Sequence, residues 1–167
     1  MIMDKVKRTI LMVPALAILA AAVRPMHIQG DEALESRVYL RTYIEATSAE
    51  YNICPELVEA IIEAESNWNP KAVNGQCIGL MQINSYWHQG RMKRLGVTDL
   101  TEPRQNILVG IDYLSQLFSE NEDIYLVLMK YNMRQDTAYQ KWGAGDYSNY
   151  AVSVAARSSE LEREHGK

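Results

Sequence analysis

The stretch PELVEAIIEAESNWNPKAVNGQCIGLMQIN, from Pro55 to Asn84, decides the reading of this chain. Pro55 suits the first turn of a helix, where its missing N–H is not needed, and Glu56 to Ser66 follows without a helix breaker. Set Ile61 at zero and advance ~100° per residue: Leu57, Val58, Ile62 and Ala64 then fall within about 100° of it and make one apolar face. Glu56, Glu59 and Glu63 lie about 140–160° away, where a solvated face accounts for them. Glu65 departs from this set. It lands about 40° from Ile61, inside the apolar arc.

A carboxylate among apolar neighbours is penalised, so its pKa rises. Glu65 also sits near the helix C-terminus, whose dipole further disfavours negative charge. Both effects favour a protonated acid near neutral pH, the state a general acid requires. An ion pair or capping contact with an Arg or Lys from elsewhere would explain the position equally, and periodicity leaves both open. Beyond Ser66, Asn69-Pro70 and Asn74-Gly75 are turn signals, so Asn67–Gly79 reads as a loop. Gly79–Gln89 is a compact apolar and amide segment without a clear secondary-structure signal.

On either side of this stretch the pattern is helical. Asp31–Asn52 carries Leu34, Val38, Leu40, Tyr43 and Ile44 at recurring positions. Thr101–Phe118 repeats Ile107, Ile111, Leu114, Leu117 and Phe118 at helical spacing, with Thr101 as the expected cap and Pro103 in the first turn. Asp123–Met133, Thr137–Trp142 and Tyr147–Leu161 read as three more helices, the last two separated by Gly143-Ala144-Gly145. The charged tail, residues 161–167, is expected to fray. The fold class is therefore all-α in a single compact domain. With 167 residues, 47% of them hydrophobic, the chain can bury a core without staples.

Residues 1–22 have a different character. Lys5, Lys7 and Arg8 precede the uncharged run Thr9–Val23, and Ala20-Ala21-Ala22 offers a small-residue cleavage site, the layout of an export signal. The run is short for a membrane span of ~20 residues and contains Pro14, although an uncleaved N-terminal anchor through residues 9–23 is the alternative. Residues 23–44 then form a connector and leading helix. Without residues 1–22 the chain has 14 basic and 20 acidic residues, which gives no reason to expect a nucleic-acid partner. Cys54 and Cys77, 23 positions apart, read as a disulfide if the chain is exported, closing a loop worth on the order of 3 kcal/mol. Two buried thiols are the alternative. No His/Cys cluster or Gly-rich phosphate loop is present, so neither metal nor cofactor is expected.

The residues Glu65-Ser66, Pro70, Ala72 and Gly79-Leu80-Met81-Gln82 stand in the order and spacing of the lytic transglycosylases of the soluble (SLT) type. The chain resembles that family, whose relatives include goose-type lysozyme in the lysozyme-like superfamily. Lys130-Tyr131-Asn132 looks like the family's Ala-Tyr-Asn stretch, and Tyr150, before Ala151-Val152, resembles the tyrosine of its Tyr-Val segment. The likeness covers about residues 45–160. It implies a lysozyme-like helical domain with a cleft that binds peptidoglycan glycan strands as a monomer in the wall or outside the cell.

The resemblance also implies a reaction. The β-1,4 bond between N-acetylmuramic acid and N-acetylglucosamine is broken by attack of the muramyl 6-hydroxyl on its own anomeric carbon, leaving a 1,6-anhydromuramyl end. Glu65 would protonate the leaving oxygen and then take the 6-hydroxyl proton. Ser66 would help place the carboxyl and the reacting sugar. Met81 and Gln82 would form the cleft floor, Asn132 would contact sugar, and Tyr150 would hydrogen-bond Glu65. Tyr131 is expected as a wall or core residue. Where the family commonly has glycine this chain has Met133-Arg134, a cation that would narrow the cleft, meet a peptide-stem carboxylate or face solvent. A water-using hydrolase would need a second carboxylate, for which Asp99, Glu102, Asp112 and Asp136 are available. A silent peptidoglycan-binding module is a third reading.

Overall fold

A computed structural model describes the backbone of residues 29–167 and side chains from Ser36 onward. The expected export segment, residues 1–22, lies outside the described residues. Seven helices are found among them: α1 (Gln29–Tyr51), α2 (Pro55–Ser66), α3 (Gln89–Leu95), α4 (Pro103–Glu120), α5 (Ile124–Asn132), α6 (Gln135–Gly143) and α7 (Asn149–Glu164). The all-α reading therefore holds. No helix among the described residues is long and apolar enough to cross a membrane.

The loop after α2 contains more order than turn signals alone suggest. Strands β1 (Val73–Asn74), β2 (Cys77–Ile78) and β3 (Ile83–Asn84) form a small antiparallel sheet in that order, with Val73 opposite Ile78 and Cys77 opposite Asn84. Two-residue strands offer too little alternation to be read from sequence. The cap of α4 also differs from expectation. Glu102 accepts from the backbone N–H groups of Arg104 and Gln105, whereas Thr101 bonds to Asp99. Asp123 and Ser148 cap α5 and α7 in the same manner.

The core lies where α2 meets α7 and α1 meets α4. Ile44, Val58, Ile61, Ile62, Ile107, Ile111, Leu114 and Leu128 are wholly buried in it. Contrary to the solvated face expected for them, Glu56 and Glu59 are each only 2% exposed. Helix α2 is covered on its polar side too, and each charge meets a partner from distant sequence. Glu59 accepts from Arg41 at 2.8 Å, Glu63 from Arg157 at 2.7 Å, and Glu56 from Lys167 at 2.7 Å with His165 at 3.1 Å. A helical wheel places residues on a face but does not tell whether another helix packs there. The Lys167 contact and the extension of α7 to Glu164 also anchor a tail expected to fray.

Gly110 in α4 is a packing requirement. A Cβ there would lie 2.6 Å from Met81 Cε and closer still to its sulfur, and Met81 has no exposed surface toward which to move. Gly110→Ala is expected to destabilise the domain by about 1–3 kcal/mol in urea unfolding, the usual cost of overpacking. A double-mutant cycle with Met81→Ala should return a clear coupling energy; simple additivity would show that the two positions do not contend for the same space.

Candidate active site

Glu65 occupies the last turn of α2 and is half-buried. The chain then turns sharply: Asn67 and Trp68 both adopt left-handed backbone, φ 49° and 64°, in a region that non-glycine residues seldom occupy. Burial raises the Glu65 carboxyl pKa, and the Tyr150 hydroxyl from α7 and the Asn132 amide from α5 oppose that shift. These two partners lie 85 and 67 positions away in sequence, and the fold brings both to the same carboxyl. Burial and the nearby Glu65 charge keep the phenols of Tyr150 and Tyr131 protonated, their pKa values well above the usual 10. Tyr150 Oη is fully buried yet has no acceptor in hydrogen-bond geometry. It faces Glu65 without completing the bond expected of it.

The structure departs from the expected roles of two neighbours. Ser66 Oγ is a main-chain clip, donating to Leu80 O at 2.8 Å and to Ile62 O at 3.2 Å. Its proton is committed to tying α2 to the Gly79–Gln82 turn. Met81 was expected on the cleft floor, but its side chain is 0% exposed and packs under α4. It cannot touch a ligand in this arrangement, and its contribution is through the backbone. Met81 O accepts from Tyr131 Oη at 2.8 Å, and Met81 N donates to Asn106 at 2.8 Å.

Gln82 has positive φ (47°), and its Nε2 donates to Ala72 O and Gly79 O at 3.1 and 3.0 Å. Both amide hydrogens are thus used. Gln82 and Asn132 line a cleft of about 870 Å³ whose other walls include Asn84, Trp87, His88, Arg91, Tyr113 and Tyr131. That volume is near the upper end of ligand-site sizes, ~300–1,000 Å³. Glu65 is not among the lining residues. Asn132 joins the two, facing Glu65 while lining the cleft. His88 is held neutral, its pKa lowered to about 4 by burial and then by Arg91. Arg134, beside the cleft, is exposed and pairs with Asp136 at 2.7 Å.

The expected disulfide is not formed, and both thiols are free. Cys54 occupies the N-cap position of α2 without a side-chain capping bond, its thiol donating instead to the Glu56 carboxylate. Cys77 lines the cleft, which Asn132 ties to the other end of that helix. Twelve residues of helix span ~18 Å, while bridged cysteines need Cα atoms within ~7 Å. Among the described residues no cluster of His, Cys, Asp and Glu could hold a metal.

Asn106 was absent from the sequence reading, yet it organises the turn. Wholly buried in α4, it donates to Ile78 O and Leu100 O at 2.8 and 2.9 Å while accepting from Met81 N. Gly79, at φ +80°, leaves room for it; a Cβ there would lie 2.8 Å from Asn106 Cγ. The signal was a polar residue adjoining an apolar stripe, the same kind that singled out Glu65.

Comparison with known proteins bears on the family and the fold. Residues 42–150 match the family model of the transglycosylase SLT domain. Over 102 residues the chain is 35% identical to a transglycosylase of Enterobacteria phage PRD1, covering 60% of this chain and 36% of that protein. It is 28% identical over 125 residues to membrane-bound lytic murein transglycosylase F of Pasteurella multocida, covering 64% of this chain and 24% of the relative. In fold it is similar to an inactive mutant of the lytic transglycosylase Slt from Pseudomonas aeruginosa, with TM-score 0.67, 20% identity, and coverage of 75% of this chain and 24% of that one. The chain thus spans about a quarter to a third of the length of these relatives. With two-thirds of its length matched by the family model, the chain belongs to the transglycosylase SLT domain family.

Proposed function

We infer that the chain is a peptidoglycan lytic transglycosylase, cleaving the β-1,4 bond between N-acetylmuramic acid and N-acetylglucosamine with formation of a 1,6-anhydromuramyl end. The observation that carries this reading is one partly buried acid, Glu65, with raised pKa and two polar partners, beside a cleft. Protonated Glu65 donates to the glycosidic oxygen as the C1–O bond breaks. The carboxylate so formed accepts the proton of the muramyl 6-hydroxyl as its oxygen bonds to C1. One carboxyl thus serves both half-reactions and leaves with the proton it began with.

The candidates for a second carboxylate support this reading over hydrolysis. Asp99 is tied to Thr101, and Glu102 caps α4. Asp112 is bound by Arg91 and Arg94, with its pKa lowered. Asp136 lines the cleft but is paired with Arg134. Tyr150, unsatisfied and facing Glu65, would complete its hydrogen bond when the carboxylate forms, and Asn132 would orient the sugar beside it. Gln82 has an amide oxygen left to accept from an N-acetyl N–H. Export through residues 1–22, or anchoring through residues 9–23, would bring the enzyme to this substrate.

The test is mass spectrometry of soluble products from purified peptidoglycan, using the full chain and its Glu65→Gln variant. Anhydromuramyl ends from the unaltered protein alone are expected. Products heavier by one water would assign hydrolysis, and the absence of products from both proteins would leave a binding module.

A further inference from the structure

Tyr86 and Trp87 belong to no core. Tyr86 is 59% and Trp87 77% exposed, the latter the most exposed large hydrophobic residue described. Free aromatic surface of this size is unfavourable in water unless it meets something. The loop carrying them is nonetheless well fixed. Asn84 Oδ1 accepts from both Tyr86 N and Trp87 N at 3.0 Å, and His88 N returns to Asn84 O at 3.1 Å. The Tyr86 ring stands edge-on to Trp87 at 5.3 Å and 81°, bracing its plane. The indole is therefore held out at the cleft, which it lines, on a backbone with little freedom.

Its place in the cleft wall gives it meaning. From Tyr131, which senses the Glu65 charge, a file of rings runs through Tyr113 and His88 at centroid separations of 5.5 and 4.6 Å. Trp87 immediately precedes His88 in sequence and lines the same cleft, whereas Glu65 does not. Polar groups share the wall with the rings: the amides of Gln82 and Asn84, and Arg91. Flat apolar faces and amides in one cleft suit a β-1,4-linked N-acetylhexosamine strand, whose sugars present an apolar C–H face and an acetamido edge. We propose that Trp87 is the stacking platform of a remote saccharide subsite, gripping a sugar of the strand away from the bond being cut. This rests on the glycan-cleaving reading and adds a length dependence: strands that reach Trp87 bind better than those that do not.

The probe is chitohexaose, titrated into the full-chain Glu65→Gln variant so that no turnover intervenes. Trp68 is 9% and Trp142 37% exposed, so acrylamide quenching of fluorescence reports mainly on Trp87. Chitohexaose is expected to shield that component and shift its emission to the blue. Trp87→Ala should weaken chitohexaose binding, measured by calorimetry, about tenfold, as expected for loss of one ring face of apolar contact. Trp87→Tyr should restore most of it, and thermal midpoints should be unchanged because the ring supports no core. Equal affinities for the Ala variant and its parent, or unaltered quenching on saturation, would overturn the platform. Anhydromuramyl release by the unaltered protein is read separately. Its presence with an unmoved Trp87 rejects the platform alone, and its absence despite a shielded Trp87 rejects the reaction alone.

Discussion

Glu65→Gln is expected to lower the rate of peptidoglycan solubilisation by 10²–10⁴-fold, the range that positioned acid–base groups contribute. The same change should raise stability at neutral pH. In the folded protein the Glu65 carboxyl titrates above its ordinary value because burial penalises the charge. Its contribution to stability is thus fully present below the unfolded pKa, ~4.3, and is lost as pH rises through the higher folded value. A neutral glutamine carries no such loss. The two proteins should have similar thermal midpoints in acid, and the variant should pull ahead as pH rises to a plateau. Activity should follow the same titration, since the first half-reaction needs the protonated acid and fails as pH climbs past the folded pKa. A midpoint difference independent of pH would place the Glu65 carboxyl in an ordinary aqueous environment and remove the basis for its role.

The second large effect concerns a residue remote from chemistry. Asn106→Ala would strip partners from one buried N–H and two carbonyls, those of Met81, Ile78 and Leu100. At ~1–3 kcal/mol for each unsatisfied group, and with some rescue by entering water, the expected loss is about 3–5 kcal/mol. In a chain of this size that lowers the thermal midpoint by about 10 °C or more. Catalysis should suffer beyond the stability loss, because the Gly79–Gln82 turn that carries Gln82 loses its clamp. A loss below 1 kcal/mol in calorimetry would mean that the turn is held by the sheet and by Ser66 instead.

What the sequence disclosed and what it hid follow one physical division. Glu65 was legible because a polar residue on an apolar stripe is a local contradiction, visible within one helix. The long helices were legible for the same reason, since their period is written in adjacent residues. Glu56 and Glu59 were misread because their partners are remote in sequence: Arg41 comes from α1, and His165 and Lys167 from the segment after α7. The cysteine pair failed similarly: 23 positions is a workable loop, but most of it is a rigid α2 that holds the thiols apart. Met81 lies in a motif-bearing turn, and only the packing of Gly110 against it reveals that it faces inward. Helix α3, QGRMKRL, is too short and too cationic to show a period.

The pairing of α2 with α7, the most extensive contact between helices, has a consequence in time. Ribosomes add ~5–20 residues per second, so Glu65 emerges seconds before Tyr150. Until α7 docks, Glu65 stands on a helix whose Arg157 and Tyr150 partners do not yet exist, hydrated and ionised like any surface glutamate. Docking of α7 brings Tyr150 to Glu65 and Arg157 to Glu63 across more than 80 positions, and contacts of such separation are among the last that a chain completes. On the mechanism proposed above, the burial that raises the Glu65 pKa is complete only once the final helix docks, and activity would begin at that step.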